Sequence, residues 1–143
     1  MVRLEHNNVR TLDLEATIAF YENIVGLKVG EFPGAPGQGA WLYDDEGTPV
    51  IHIVAIDPAH AERALATINE RTGESVETLD QGMVHGSGAI DHIAFGCTDY
   101  ALVRARIDEH GLPFRLNEVA SMSIRQIFVH DPSGILIELN FRG

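Results

Sequence analysis

The sequence predicts an α+β fold: two tandem βαβββ modules forming a curved, partly open, barrel-like sheet with a metal site in its concavity. Three observations predict it. The chain repeats itself at one constant shift, each repeat carries the same order of elements, and the repeat superposes side chains able to ligate a metal. A shift of 86 residues places His6 on His92, Asp13 on Asp99 and His52 on Glu138. Leu4-Glu5-His6-Asn7-Asn8-Val9 likewise matches Ile90-Asp91-His92-Ile93-Ala94-Phe95. Self-similarity at a fixed period marks repeated supersecondary units that share a core. We read one domain, with module one at about 1–56, a connector at about 57–89 and module two at about 90–143.

In module one a strand is expected over Leu4–Arg10, followed by Asp13 as an N-cap. Leu14, Ile18, Tyr21 and Val25 recur at helical spacing, which predicts a helix from Leu14 to Val25, with Gly26 as its stop. Strands are expected near Leu27–Glu31, Ala40–Tyr43 and Pro49–Ala55. Phe32–Gly39, rich in Pro and Gly, is a loop by composition. Module two repeats the order: strand Ile90–Cys97, N-cap Asp99, helix Ala101–His110, stop Gly111, then strands near Phe114–Val119, Ser123–His130 and Ile135–Phe141. Asp131-Pro132-Ser133-Gly134 has the composition of a tight turn. The connector predicts a helix near Pro58–Arg71, with Ala61, Leu65 and Ile68 as its apolar stripe, and linker beyond it.

The composition excludes several functions. The formal net charge is −11, with 10 Lys plus Arg against 21 Asp plus Glu, so the chain lacks the cationic face that a nucleic-acid or anionic membrane surface requires. No apolar run approaches the roughly 20 residues of a membrane helix, and the first residues carry no signal-peptide pattern. The single Cys97 excludes an intrachain disulfide and fits a reducing compartment. A cytoplasmic protein acting on a small molecule is expected.

Side chains alternate faces along a strand. Ile51 and Ile53 therefore lie opposite His52; Ile93 and Phe95 opposite His92; Ile135, Ile137, Leu139 and Phe141 opposite Glu138. The bulky apolar residues would pack on the helices, leaving the His and Glu side chains on the other face. Ionisable groups within apolar strands are costly unless paired or liganded. His6, His52, His92 and Glu138 are the candidate metal ligands, and an imidazole–carboxylate set suits one divalent ion: Zn, Fe(II), Mn, Co or Ni. Asn8 and Asn140 share the ligand face by strand parity, as does Arg10, four residues after His6. With Trp41 and Arg125 these are the candidate substrate-binding residues. Glu138 and His52 are the candidate catalytic residues, with His52 either a fourth ligand or an acid–base group over an open position. His60, His110 and His130 fall in turns or helix ends and are read as solvated, His85 as a loop histidine of the connector rather than an acid–base group, and Cys97 as core.

These features together resemble the vicinal oxygen chelate superfamily, which includes glyoxalase I, extradiol dioxygenases, fosfomycin-resistance thiol transferases and bleomycin-binding proteins. The resemblance rests on His6 with Asp13-Leu14 and Phe20-Tyr21, on Gly26-Leu27, on Ile90 to Phe95, and on Phe128 to Gly134 running into Ile137-Glu138-Leu139. It implies metal ligands at the start and on the last strand of each module, here His6, His52, His92 and Glu138. It also implies a homodimer, with sites that can be shared between subunits. The activity implied is that of a metal-dependent, glyoxalase-like lyase or isomerase that chelates a small oxygenated substrate and stabilises its oxyanion or enediolate. Arg10 resembles an arginine that holds glutathione in glyoxalase I, whereas Ile56 stands where that enzyme tends to carry asparagine. The alternatives are an Fe(II) extradiol-type dioxygenase of a catecholic substrate, for which Phe128 stands near an expected tyrosine, and a non-catalytic sequestering protein of the bleomycin-resistance type.

Overall fold

The computed structural model describes residues 1–143. Module one comprises β1 (Asn7–Thr11), α1 (Leu14–Phe20), β2 (Lys28–Val29), β3 (Gly39–Tyr43) and β4 (Pro49–Ala55). The connector carries α2 (Glu62–Thr72). Module two comprises β5 (Ile93–Cys97), α3 (Tyr100–Glu109), β6 (Phe114–Val119), β7 (Ile124–His130) and β8 (Leu136–Arg142). The fold is the expected α+β arrangement of tandem βαβββ modules. Its eight strands divide equally between two open, mixed sheets, ordered β1-β4-β3-β2 and β5-β8-β7-β6. The matching orders are the structural form of the sequence repeat: β1 pairs parallel with β4, and β5 parallel with β8.

Both helix starts form where their capping carboxylates predict. Asp13 accepts from the Ala16 amide at 3.0 Å and Asp99 from the Leu102 amide at 3.1 Å, which satisfies donors that have no partner within the helix. The helix expected to run unbroken to Val25 changes character after Phe20. Tyr21–Val25 form a π turn, in which the Gly26 amide donates to the Tyr21 carbonyl, five residues back. The wider turn buries both Tyr21 and Ile24 in the core. Gly26 ends it at φ 92°, a left-handed conformation that glycine adopts without steric cost. In the connector, the expected helix divides into a 3₁₀ turn at Pro58–His60 and α2. No helix is long and apolar enough to cross a membrane.

One apolar cluster joins the modules. Val9, Leu42, Ile51 and Ile53 of the first sheet and Ile127, Ile137 and Leu139 of the second share it with Phe20, Tyr21, Ile24, Val103 and Ile107, and α3 packs on the π turn. Each sheet thus turns one face to the helices and leaves the other, with the polar strand residues, outside the core. A buried polar seam crosses the same boundary. The Tyr21 hydroxyl donates to Asp131 Oδ2 at 2.7 Å, while Asp131 Oδ1 accepts from the Ser133 and Ile135 amides at 2.9 Å each. Ser133 Oγ donates to the Arg10 carbonyl at 2.8 Å.

Candidate metal centre

The first sheet displays an aromatic column on its open face. His52 of β4 stands opposite Trp41 of β3 and opposite Asn8 of β1 in the strand register. The His52 ring stacks between His6, with centroids 3.8 Å apart, and Trp41, with centroids 4.1 Å apart. Phe32 meets Trp41 edge-on at 6.5 Å. His6 lies one residue before β1, because the strand begins at Asn7 and not at Leu4. Burial, together with the neighbouring His6, lowers the His52 pKa, so its imidazole is neutral and available as a ligand or base near neutral pH. Its Nε2 is buried and has no hydrogen-bond partner. A buried polar atom left unpaired is rare and costly in a folded protein.

The second sheet displays an ionic cluster. His92, one residue before β5, places Nε2 2.9 Å from Glu138 Oε2. Its Nδ1 lies 2.7 Å from the Asp91 carboxylate. The bond to Asp91, with Glu138 adding, raises the His92 pKa. Glu138 is only 8% exposed, and its Oε1 accepts from Gln126 Nε2 at 2.8 Å and from Asn140 Nδ2 at 2.7 Å. Asn117 donates to the Gln126 oxygen at 2.7 Å. Such amides fix a carboxylate's orientation and leave its second oxygen turned toward His92 Nε2. Phe128 packs edge-on to His92 at 6.2 Å.

The four candidate ligands therefore lie as two pairs, one on each sheet. No group of three or more His, Cys, Asp or Glu able to hold a metal forms within the chain. Each pair fits a metal by its chemistry. His92 Nε2 and Glu138 Oε2 face each other 2.9 Å apart, an imidazole and a carboxylate of the types that bind a divalent ion. The unpartnered His52 Nε2 is a vacant donor, although the His6–His52 stack must open before both rings can address one ion in their planes.

The remaining candidates separate. Asn140 joins Glu138, and Trp41 joins His52, as do Asn8 and Arg10 by face. Arg10 is held by a bond from its Nη1 to the Met83 carbonyl at 3.1 Å. Arg125 does not join: odd-numbered β7 residues face the helices, and its guanidinium lies 4.1 Å above the Tyr100 ring. Gln126, Asp91 and Phe32 escaped sequence reasoning. Parity along β7 would have placed Gln126 on the open face, but its contact with Glu138 and Asn140 depends on the β7–β8 register, in which Gln126 stands opposite Asn140.

Comparison with known proteins supplies the family. The profile of the Glyoxalase/Bleomycin resistance protein/Dioxygenase superfamily matches residues 3–139. The chain is 29% identical over 140 residues to a lactoylglutathione lyase of Salmonella typhimurium, covering 96% of this chain and 91% of that one. Among solved structures, a fosfomycin resistance protein from Listeria monocytogenes superposes with TM-score 0.64 at 16% identity, over 100% of this chain and 95% of that one. An antibiotic binding protein from Streptomyces sp. CB03234 superposes with TM-score 0.61 at 18% identity, over 100% of this chain and 98% of that one. These two show the shared fold alone. With its two βαβββ modules and nearly its whole length matched, the chain belongs to the Glyoxalase/Bleomycin resistance protein/Dioxygenase superfamily.

Proposed function

We propose that this protein is a metal-dependent lyase or isomerase of glyoxalase type, acting on a small substrate with two adjacent oxygens. In this reading, one divalent ion per site is held by His6 and His52 of one subunit and by His92 and Glu138 of the other subunit of a homodimer. The observation that carries the reading is the division of the ligands. Each sheet holds a pair on its open face, His52 Nε2 is buried without a partner, and the chain alone assembles no group of three. A two-fold axis would bring the first sheet of one copy against the second sheet of the other and complete two equivalent sites.

A divalent ion bound there would supply Lewis acidity toward the two substrate oxygens. The chain's own residues supply the rest. Glu138 keeps Oε1 oriented by Gln126 and Asn140, which leaves Oε2, 2.9 Å from His92 Nε2, to serve either as a ligand atom or, off the ion, as the atom that takes a proton from the substrate carbon. His52 Nε2, kept neutral by burial, is a second acceptor. Trp41 and Phe32 wall the His52 side and exclude water from it.

The test uses two inactive variants. His6→Ala with His52→Ala removes the first pair, and His92→Ala with Glu138→Ala removes the second. When the two are mixed and allowed to exchange subunits, half the dimers are mixed and each regains one complete site, so about a quarter of the wild-type metal content and activity returns. No recovery after proven exchange, or full metal retention in either variant, would overturn the reading. Ligand binding that survives chelation, with no activity on any dicarbonyl, hydroxycarbonyl or catechol, would move the protein to the sequestering class.

A further inference from the structure

A cavity of about 1030 Å³ opens beside the His52 column under the connector. Its floor is the open face of the first sheet, where Asn8, Arg10 and Val54 alternate with the buried Val9 and Ile53. Val54 is two residues beyond His52, about 7 Å along the strand, so the cavity begins next to the candidate metal centre and leads away from it. Its roof is α2, which presents Ala64, Thr67, Ile68 and Arg71 at helical spacing.

The charge of this cavity is the reverse of the chain's. Acidic residues outnumber Lys plus Arg by 21 to 10 overall. Within the cavity, Arg10, Arg63 and Arg71 are met by a single carboxylate, Asp57, and that carboxylate is bonded to His60 at 2.9 Å. No ion pair engages Arg63 or Arg71, whereas Arg104 and Lys28 elsewhere have acidic partners. About half of the rest of the lining is apolar. Ile56, Val84 and Ile135 form buried wall, and Leu12 and Ile90, 54% and 59% exposed, stand at the rim with little protein against them.

We propose that this cavity binds the anionic, apolar-bodied portion of the substrate: an amphipathic organic acid with an aryl or acyl chain. Its carboxylate meets Arg63 and Arg71, and its reacting oxygens reach the metal centre past Arg10. Guanidinium forks recognise carboxylates with two parallel bonds, and a mostly apolar pocket with a few placed charges is the usual form of a small-molecule site. The proposal rests on the function proposed above only for the position of the reacting end.

Calorimetric titration of chelator-treated protein with 6-phenylhexanoate and with its neutral primary amide tests the cavity without activity. The acid is expected to bind at one per chain, at least about tenfold more tightly than the amide, and to weaken as salt is raised. Arg63→Gln with Arg71→Gln, both exposed positions, is expected to abolish that preference while leaving metal uptake and the unfolding midpoint unchanged. Equal binding of acid and amide, an unchanged preference in the double variant, or displacement of the acid by glutathione, a polar tripeptide, would overturn the proposal. Failed subunit complementation with the acid preference intact would instead remove the metal reading and leave the cavity standing.

Discussion

Tyr21 and Asp131 show how much one pair of side chains does at the boundary between modules. Burial raises the Asp131 pKa despite the three donors around it, and it raises the Tyr21 phenol well above its ordinary value. The phenol thus stays protonated and donates to the carboxylate at neutral pH. Because the Asp131 pKa is raised on folding, its contribution to stability is complete below the ordinary carboxylate range and is lost as pH rises through the raised value. Tyr21→Phe removes the donor and leaves Asp131 Oδ2 buried without one. The expected cost is about 2 kcal/mol at neutral pH, and less in acid, where the carboxyl is protonated. Urea unfolding of both proteins at the two pH values checks this, and an equal loss at both would contradict it. Cys97 illustrates the same desolvation on a thiol, which burial pushes up to about 11, so it is a poor nucleophile at neutral pH.

At the scale of elements, the two helix starts use one residue type in two backbone conformations. Asp13 caps α1 from an extended backbone at φ −136°, whereas Asp99 caps α3 from a left-handed one at φ 55°. Substitution should therefore separate them. Asp13→Ala is expected to cost about 1 kcal/mol for the lost cap. Asp99→Ala is expected to cost about 2 kcal/mol, since alanine tolerates the left-handed region less well than aspartate. Asp99→Gly should be nearly neutral, as glycine recovers the backbone term. Thermal unfolding of the three variants reads the order directly, and Asp99→Gly behaving like Asp99→Ala would refute the conformational part. The strand edges teach a related lesson. His6 and His92 were expected inside strands but precede them by one residue each. They stand on short leads just outside the ladders, whereas His52 and Glu138 are carried within them.

At the scale of the whole molecule, the modules are expected to unfold as one cooperative unit. The shared apolar cluster, the Tyr21–Asp131 bond and the Ser133–Arg10 bond all cross the boundary. Trp41 is the only tryptophan and belongs to module one. Its fluorescence and the far-ultraviolet circular dichroism of both modules are expected to change at the same urea concentration. A fluorescence transition that precedes the other would show that module one unfolds alone.

Much of this was legible in the residues themselves. The repeat, the helix caps, the alternation that puts His52 and Glu138 opposite isoleucines and leucines, and the resemblance to the vicinal oxygen chelate superfamily all follow from local chemistry, which acts over a few residues and leaves a periodic trace. The π turn left no such trace, because Tyr21 and Ile24 satisfy an α-helical pattern equally well until Tyr21 finds Asp131, 110 residues away. Arg125 was drawn to the site by its charge, and the face it occupies was decided by the β7 register and by the Tyr100 ring. The amino-acid order by itself determined which four side chains stand on the open faces of two sheets. Only the tertiary structure decided that they stand there as two separated pairs, because the helices and the shared core lie between the sheets and turn those faces outward.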